Sequence, residues 1–298
     1  MTSLREKKFS YALLVIPALA IYLSVMAFPT ITSIVLSLTD YNGGRMLGNS
    51  EVGFVGLSNY IWMFTEPTRG FFTAFRNNML IVAMSVFGQI PLGFALAYLL
   101  SRKLVKGTGF FQAMIYLPNV ISPVIIGILF RNLVMGPNSL WFELTRFFNP
   151  DVQFTLPTYP MAQVLFVMLW MYTGFYMIIF LANLQRIDPS VLEAASIDGA
   201  SERQIFARIV FPALSGVVVT CAILAIAGSL RSFDLVFVMT GGGPAGSTRV
   251  LSLFMFQSAF QGSPNYPLAN AISTIIVLIS FALILITRGV ERLFGGRD

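Results

Sequence analysis

Histidine is absent from this chain of 298 residues, and cysteine occurs once, as Cys221. Without histidine, a Ser-His catalytic triad and imidazole acid–base chemistry are excluded. A single cysteine excludes a disulfide within the chain, and the two shortages together exclude a zinc site of Cys/His type. Charged residues are also scarce, at 11%, whereas soluble proteins carry about 25%. The composition therefore indicates a membrane protein.

Long apolar runs confirm this class: 56% of the residues are hydrophobic, and the mean hydropathy is +0.77. A helix needs about 20 apolar residues to cross the hydrocarbon core. The first run follows basic residues like a secretory signal, but it continues well past Ala18–Ala20, so we expect it to be retained. We predict an all-α membrane protein, one transmembrane domain over 1–298, with six spans at about 10–38, 76–100, 110–131, 159–183, 212–232 and 268–288.

The basic residues orient these spans. The two termini and the segments 101–110 and 184–211 fall on one side when the spans alternate direction, and they hold most of the 19 Lys and Arg residues. All of the lysines are there: Lys7, Lys8, Lys103 and Lys106. The positive-inside rule makes this side cytoplasmic, with both termini in the cytoplasm. Because the basic residues are scattered among apolar spans, the net charge of +6 indicates membrane topology and no nucleic-acid partner.

Phosphate-binding and ion-coupling motifs are missing. No G-x-x-x-x-G-K-[ST] loop occurs, so we expect no ATP site and no cofactor in this chain. The G-x-G-x-x-G in GGGPAG (241–246) follows a membrane helix, and we interpret it as a Gly/Pro turn. The one carboxylate near a span is Asp234, three residues after Arg231. If one helix carries both, they share a face, and we expect a structural pair at the outer rim.

One charged stretch interrupts the apolar chain: EAASIDGASERQIFARIVFP, residues 193–212. Before it, Asp188 and Pro189 predict a helix start, with Asp as the N-cap and Pro at the first helical position. Asp198-Gly199 predicts the end of that helix, because Gly tolerates the positive φ of a helix C-terminus. The stretch therefore begins as a short helix that stops at a sharp turn.

A second short helix follows the turn. Ser201 and Gln204 have the spacing of a capping box, and Pro212 marks the bend into the fifth span. The first helix has a small apolar face of Val191, Leu192 and Ala195, and the second has an apolar stripe of Ile205, Phe206, Ile209 and Val210. Such a helix–Gly–helix unit fits a groove on another protein, or it rests as an amphipathic loop on lipid headgroups. The spacing alone leaves these two interpretations open.

The same stretch resembles the signature loop of ABC import permeases. The family pattern is EAA, three residues, Gly, nine residues and I-x-L-P, and it is matched here by Glu193, Ala194, Ala195, Gly199, Ile209 and Pro212. Phe211 replaces the usual Leu and remains apolar. Further stretches resemble the maltose-type and multiple-sugar branch of the family, namely residues 28–42, 55–60, 116–130 and 231–248.

The resemblance implies a type I importer permease fold in which the EAA loop, residues 184–211, forms cytoplasmic coupling helices. In the family this loop docks on a dimer of ATPase subunits, which hold ATP and Mg. A second, related six-span permease and an extracytoplasmic sugar-binding protein complete the transporter. By this resemblance the ATPase-coupling residues are Glu193, Ala194, Ala195, Asp198, Gly199, Ile209 and Pro212.

Polar and aromatic residues within the spans are candidates for a sugar pathway, since polar groups in spans normally face the bundle interior. They are Ser85, Gln89, Asn119, Ser122, Tyr172, Tyr176 and Ser229. Tyr172 and Asn119 are the leading candidates. The alternative for each residue is a hydrogen bond that joins two helices.

Other functions remain as alternatives. Similar permeases carry glycerol-3-phosphate, and a phosphate dianion favours Arg in the pathway. Arg131 and Arg231 lie near outer span ends, and neither is deep, so a sugar is favoured. A secondary carrier or channel usually has carboxylates within its spans, which are nearly missing here. A membrane enzyme lacks support because no nucleophile motif occurs.

Overall fold

The computed structural model describes residues 4–44, 52–66, 70–102, 107–135, 139–148 and 159–295. In these ranges the chain is helical, apart from loops and an isolated bridge between Thr39 and Phe54, so the all-α prediction is confirmed. The α-helices are α1 (Leu4–Tyr22), α2 (Phe28–Leu36), α3 (Ser58–Thr65), α4 (Phe71–Met84), α5 (Ile90–Ser101), α6 (Thr108–Val120), α7 (Pro123–Phe130), α8 (Leu140–Phe148), α9 (Pro160–Leu184), α10 (Pro189–Ile197), α11 (Glu202–Ile205), α12 (Phe211–Ala213), α13 (Ser215–Leu230), α14 (Asp234–Thr240), α15 (Leu251–Phe260) and α16 (Tyr266–Gly295). Short π-helical segments occur at Leu23–Ala27, Ser85–Gln89, Arg131–Met135 and Phe206–Val210.

Four helical stretches of the described chain are long and apolar enough to cross a membrane. They are Leu13–Leu36, Phe71–Ser101, Pro160–Leu184 and Tyr266–Gly289, close to four of the predicted spans. The other two predicted spans correspond to bent pairs of helices. The first pair, Thr108–Val120 with Pro123–Val134, bends by 90°, and the second, Glu202–Ala213 with Ser215–Leu230, bends by 63°. The described residues thus contain four candidate spans, or six if each bent pair crosses once.

The 90° bend has a local cause. Pro123 disfavours helical geometry at the residue before it, and Ser122 accordingly has ψ 133°. Ile121 is extended as well, with ψ 140°. Pro123 then occupies the first position of α7, and the hydroxyl of Ser122 accepts a hydrogen bond from the amide of Val124 at 3.3 Å. The predicted third span therefore contains a break that its hydropathy does not indicate.

Residues 70–253 and 278–298 form one compact unit. Its core lies where α5, α9 and α13 meet, around Phe94, Tyr176, Phe180 and Cys221. Small residues let these helices approach closely, as is usual in membranes. A Cβ on Gly93 would lie 2.9 Å from the backbone nitrogen of Met177. The core of this unit therefore depends on backbone contact between helices as well as on large apolar side chains.

Residues 1–69 and 254–277 form the second compact unit. Polar contacts tie its loops together: the hydroxyls of Ser37 and Tyr60 lie 2.6 Å apart, and the amide of Asn59 donates to the carbonyl of Ser37 at 2.8 Å. Ser33 donates to the side chain of Asn270 at 2.8 Å, which joins α2 to α16. The prediction of one transmembrane domain over 1–298 stays a prediction.

Candidate functional site

The first helix of the EAA loop begins as predicted. Asp188 is the N-cap of α10, and its carboxylate accepts a hydrogen bond from the amide of Ser190 at 2.9 Å. Hydrogen bonds from Ser190 lower the pKa of Asp188, because they stabilise the carboxylate form. Pro189 occupies the first helical position, where its missing N–H leaves no hydrogen bond unmade. The start of the loop is therefore fixed by the residues next to it in sequence.

The turn between the two helices is also fixed locally. Gly199 has φ 79°, a left-handed conformation that strains residues with a side chain. Its N–H donates to Ser196 and that of Ala200 donates to Ala195, which is the Schellman pattern at a helix C-terminus. A Cβ on Gly199 would meet no atom within 4 Å. Glycine is therefore required here by the backbone angle and not by crowding.

The second helix starts with the predicted capping box. The amide of Gln204 donates to the hydroxyl of Ser201 at 3.4 Å, and the side-chain oxygen of Gln204 accepts from the amide of Ser201 at 2.7 Å. These two bonds satisfy amides that a helix start otherwise leaves unpaired. Together with the cap and the turn, they give the loop a defined shape on the surface of the protein.

The loop has an anchored face and an exposed face. Leu192, Ala195, Ala200 and Phe206 pack against the core, and Ile205 and Val210 belong to it. Val191, expected on the apolar face, is instead exposed. The exposed side carries Glu193, Ala194, Asp198 and Gly199, with Ile197 85% exposed at the tip. Of the remaining predicted coupling residues, Ile209 is half-buried and Pro212 is exposed in α12.

A salt bridge connects the loop to the end of a long helix. Arg102, after α5, pairs with Glu202 of α11. Tyr98 donates its hydroxyl to the same carboxylate at 3.0 Å, and the guanidinium of Arg102 lies 5.4 Å from the centre of the Tyr98 ring. The loop is therefore held to α5 by a polar cluster as well as by apolar packing.

A cavity of about 190 Å³ lies farther along the same helices. Its polar lining includes five residues predicted for the substrate pathway: Ser85, Gln89, Tyr172, Tyr176 and Ser229. They come from the π-helical segment Ser85–Gln89, from α9 and from α13. Apolar side chains complete the lining, among them Ile81, Met168, Phe233 and Leu235. The structure thus brings together residues that are far apart in sequence.

Hydrogen bonds between helices hold part of this lining. The side chain of Gln89 donates to the carbonyl of Met168 at 2.9 Å, and Ser229 donates to Ser85 at 3.1 Å. Gln89 and Ser229 therefore join helices, as the alternative interpretation proposed, and they also face the cavity. Tyr172 and Tyr176 lie one turn apart on α9, and their hydroxyls have no hydrogen-bond partner within the described ranges.

The other two predicted pathway residues do not line the cavity. Asn119 is half-buried in the last turn of α6. Ser122 is exposed, and its hydroxyl caps α7. The neighbouring Pro123 does line the cavity. The bend between α6 and α7 therefore separates two residues that the hydropathy pattern places with the rest.

Arg231 and Asp234 both line the cavity, a role that the sequence analysis did not favour. The expected pair on one helix does not form: α13 ends at Leu230 and α14 begins at Asp234, and no salt bridge joins the two residues among those described. The sequence signal that could have indicated this role is the presence of two opposite charges within four positions at the end of a predicted span. The cavity therefore presents one cation and one anion to a ligand.

Asn78 is a second residue that the sequence analysis missed. Its buried side chain donates to the carbonyl of Ser229 at 2.9 Å and accepts from the amide of Leu251 at 2.7 Å. It therefore ties α4 to α13 and to the start of α15, beside the cavity. An asparagine inside an apolar span is the signal that would have indicated such a role.

Comparisons with known proteins agree with this architecture. The lactose transport system permease protein LacF of Rhizobium radiobacter is 33% identical over 90% of this chain and 89% of its own length. The multiple sugar-binding transport system permease protein MsmF of Streptococcus mutans is 31% identical over 92% of each chain. The crystal structure of a bacterial ABC transporter that imports alginate contains a chain with the same fold, with a TM-score of 0.79 and 20% identity over 97% of both chains.

Residues 89–297 match the model of a protein family described as the inner membrane component of binding-protein-dependent transport systems. The match includes the EAA loop and most of the cavity lining. It extends over well more than half of the chain. The chain therefore belongs to the family of binding-protein-dependent transport system inner membrane components.

Proposed function

We propose that the chain is the transmembrane permease subunit of an ATP-driven ABC importer and that it carries a sugar, either a mono- or an oligosaccharide, across the cell membrane. The observation that carries this proposal is that one compact unit has both a tyrosine-lined cavity that includes polar side chains and an exposed helix–Gly–helix loop. The cavity suits a small molecule rich in hydroxyls. The loop suits a motor protein that pushes on the spans from one side.

The proposed topology has six spans, with each bent pair crossing the membrane once. Both termini and the EAA loop lie in the cytoplasm, and the loop after Leu230 lies outside. Three features support this arrangement: the apolar length of every segment, the bias of basic residues, and the position of the EAA loop between α9 and α13. A bent span is acceptable in a membrane where neighbouring helices satisfy the freed backbone groups.

The motor is proposed to be a separate ATPase dimer that binds ATP and Mg, so this chain is not an enzyme and holds no cofactor. Its sequence has no phosphate-binding loop. The EAA loop offers an exposed carboxylate at Glu193, and Ala194 beside it leaves room for close approach. A charge-assisted contact from Glu193 to a basic group of the ATPase would fix the docking geometry.

A sugar is favoured over glycerol-3-phosphate by the charges in the cavity. The rings of Tyr172 and Tyr176 offer apolar faces, and their hydroxyls offer hydrogen bonds. A phosphate dianion would gain from Arg231 but would be repelled by Asp234. A neutral sugar bonds to both charged groups without such a conflict. Relatives named for lactose and for multiple sugars support the same substrate class.

Two further partners are proposed: a second six-span permease and an extracytoplasmic sugar-binding protein. The family description names a binding-protein-dependent system. The stretch Leu13–Leu36 has none of its most apolar window buried within the chain. A span so exposed needs lipid or another membrane protein around it. A heterodimer of permeases would provide such a neighbour.

A mild detergent purification from the natural host tests this proposal, with Glu193→Lys beside a matched control, Glu143→Lys. Glu143 is also an exposed glutamate, and it lies in α8, outside the EAA loop. We expect an ATP-binding subunit and a second six-span protein to co-purify with the unchanged chain. Glu193→Lys should lose the ATPase alone, and Glu143→Lys should keep it. Recovery of the chain by itself in all samples would instead favour a carrier or a channel.

The substrate is tested with the recovered complex in proteoliposomes. Labelled sugars and labelled glycerol-3-phosphate are offered with the binding protein, with and without ATP. We expect ATP-dependent uptake of a sugar. Uptake of glycerol-3-phosphate but of no sugar would replace the substrate assignment and leave the importer assignment intact.

A further inference from the structure

Helix α8 exposes an apolar face that neither the EAA loop nor the cavity accounts for. Five large apolar side chains on it are between 51% and 81% exposed: Leu140, Trp141, Leu144, Phe147 and Phe148. At 100° per residue they fall on one arc of about 120°. Glu143 and Arg146 lie outside this arc. The helix is therefore amphipathic, with its apolar side turned away from the protein.

The residues of α8 that are buried or half-buried lie outside the exposed arc. Ser139 is buried and its hydroxyl caps the helix, accepting from the amide of Phe142 at 3.3 Å. Phe142 and Thr145 are half-buried. When α8 is viewed along its axis, Phe142 lies roughly opposite the centre of the exposed arc, and Ser139 and Thr145 lie outside the arc on either side of it. The orientation of α8 is thus defined by its contacts, and the exposed arc is a consistent outward surface.

Position in the chain and composition indicate what covers this surface. Helix α8 starts shortly after the apolar pair Thr108–Val120 and Pro123–Val134, so it lies where that candidate span leaves the membrane. Nine residues extend about 13 Å, too little to cross the hydrocarbon core. Helices that lie at the boundary between headgroups and acyl chains commonly carry Trp, Phe and Leu on their apolar face. The apolar face of α8 therefore follows the apolar segment Pro123–Val134 closely in the sequence.

An apolar groove lined partly by the segment that precedes α8 fits the same environment. Phe130 and Val134 come from the segment that precedes α8, and Phe166 and Val167 come from α9. With Ala162 and Met239 they line an open cavity of about 340 Å³. Such a groove accepts an acyl chain. A protein that docks and leaves in each transport cycle would meet water-exposed Trp and Phe between visits, whereas lipid is always present.

We propose that α8 is an interfacial helix that lies on the extracytoplasmic leaflet, with the face of Trp141, Leu144 and Phe147 inserted at the boundary of headgroups and acyl chains. Its partner is the phospholipid surface. Inserted helices of this kind lie about 5–10 Å into that boundary. The helix thereby fixes the height of the outer loop relative to the membrane. The proposal rests on the membrane placement given under Proposed function.

The test measures how accessible a nitroxide spin label is to two probes. Because the chain has a single cysteine, one substitution removes the native labelling site. In a Cys221→Ala background, Trp141→Cys is labelled in the complex assembled with cysteine-free partner subunits in lipid nanodiscs. Oxygen, which concentrates in lipid, and a nickel chelate, which stays in water, are the two probes. We expect high accessibility to oxygen and low accessibility to nickel at position 141. High accessibility to nickel, or low accessibility to both probes because a protein covers the label, would overturn the proposal.

Two controls separate this proposal from the membrane placement on which it rests. Labels at Leu19→Cys and Leu278→Cys report exposed apolar positions within the candidate spans α1–α2 and α16. If oxygen reaches neither of these two labels, the membrane placement itself is contradicted. If oxygen reaches both of them but does not reach the label at position 141, only the proposed role of α8 is contradicted.

A perturbation then tests whether the apolar face holds the helix in lipid. Leu144→Asp places a charge in the middle of that face, and we expect the label at position 141 to lose oxygen accessibility and gain nickel accessibility. Glu143→Gln, on the polar side, should leave both values unchanged. An unchanged label in Leu144→Asp would show that α8 is held by something other than its apolar face.

Discussion

The EAA loop and the cavity belong to the same compact unit, but they are built by contacts of different range. Within the loop, the side chain of Asp188 accepts a hydrogen bond from the amide two residues later, and that of Ser201 accepts one from the amide three residues later. In the cavity lining, Gln89 bonds 79 residues ahead and Ser229 bonds a partner 144 residues away. The loop can therefore keep its shape when the spans move, whereas the cavity changes whenever two helices move apart. This difference suits the proposed function, in which a rigid loop is attached to a pathway that opens and closes.

The largest expected effect comes from separating α9, which lines the cavity, from the neighbouring helix α6. Gly174 lies between Tyr172 and Tyr176 on α9, and a Cβ there would be 2.3 Å from the carbonyl oxygen of Ile115. Because the obstacle is backbone, we expect Gly174→Ala to cost about 3 kcal/mol or more. Thermal unfolding of the purified complex measures the loss.

Gly216→Ala is the matched control. Gly216 lies in α13, and a Cβ there meets no atom within 4 Å. Alanine at an unobstructed helix position is neutral or gains up to about 1 kcal/mol. Equal stability of the Gly174→Ala and Gly216→Ala variants would show that the close approach of α9 to α6 does not hold.

The next effect isolates the loop. Gly199→Pro is incompatible with φ 79°, since proline fixes φ near −65°. We expect uptake to be abolished while the protein remains in the membrane at normal abundance. Gly199→Asn should keep most of the uptake, because Asn tolerates left-handed geometry and the site has room. Transport assays on vesicles, with immunoblots for abundance, measure both variants. Normal uptake by Gly199→Pro would remove the coupling role from the turn.

The difference in range explains what could be predicted from the sequence. The N-cap Asp188, the turn at Gly199 and the capping box of Ser201 and Gln204 all follow from neighbours in the chain, and the structure has each of them. The helical class follows from hydropathy. The roles of these loop residues in coupling to an ATPase stay predictions, because they depend on another protein.

The cavity could be predicted only in part. Gln89, Tyr172, Tyr176 and Ser229 were identifiable because polar groups in spans tend to face inward. The position of Asn119 could not be predicted, because it depends on the bend after α6. Hydropathy averages over about 19 residues, so it does not resolve a two-residue break in a span. Nor does it show that α13 ends at Leu230, which brings Arg231 and Asp234 to the cavity.

A smaller effect compares two predicted pathway residues directly. Tyr172→Phe removes a hydroxyl that lines the cavity and keeps the ring, and we expect sugar uptake below saturation to fall roughly 3- to 10-fold, the value of one hydrogen bond. Asn119→Leu should have a smaller effect, because Asn119 lies outside the lining. Sugar-dependent ATP hydrolysis by the complex is the second readout. If neither variant changes uptake or ATP hydrolysis, both residues lose their predicted place in the pathway.

The smallest expected effect is a pH dependence confined to the loop. Hydrogen bonds from Ser190 lower the pKa of Asp188, so the folded loop stabilises the ionised form of this carboxyl group more than the unfolded chain does. The stabilising cap is therefore complete above the unfolded pKa of about 3.9 and is lost as the pH falls through the lower, folded pKa.

Hydrogen exchange of the α10 amides, corrected for the intrinsic rate at each pH, should show this loss in the unchanged chain. Asp188→Asn keeps a capping oxygen that does not titrate, so its protection should stay constant over the same range. A loss of protection in Asp188→Asn at the same pH would mean that another group titrates. Constant protection in both proteins would mean that the cap does not hold the helix, and that α10 keeps its shape through the packing of Leu192 and Ala195 alone.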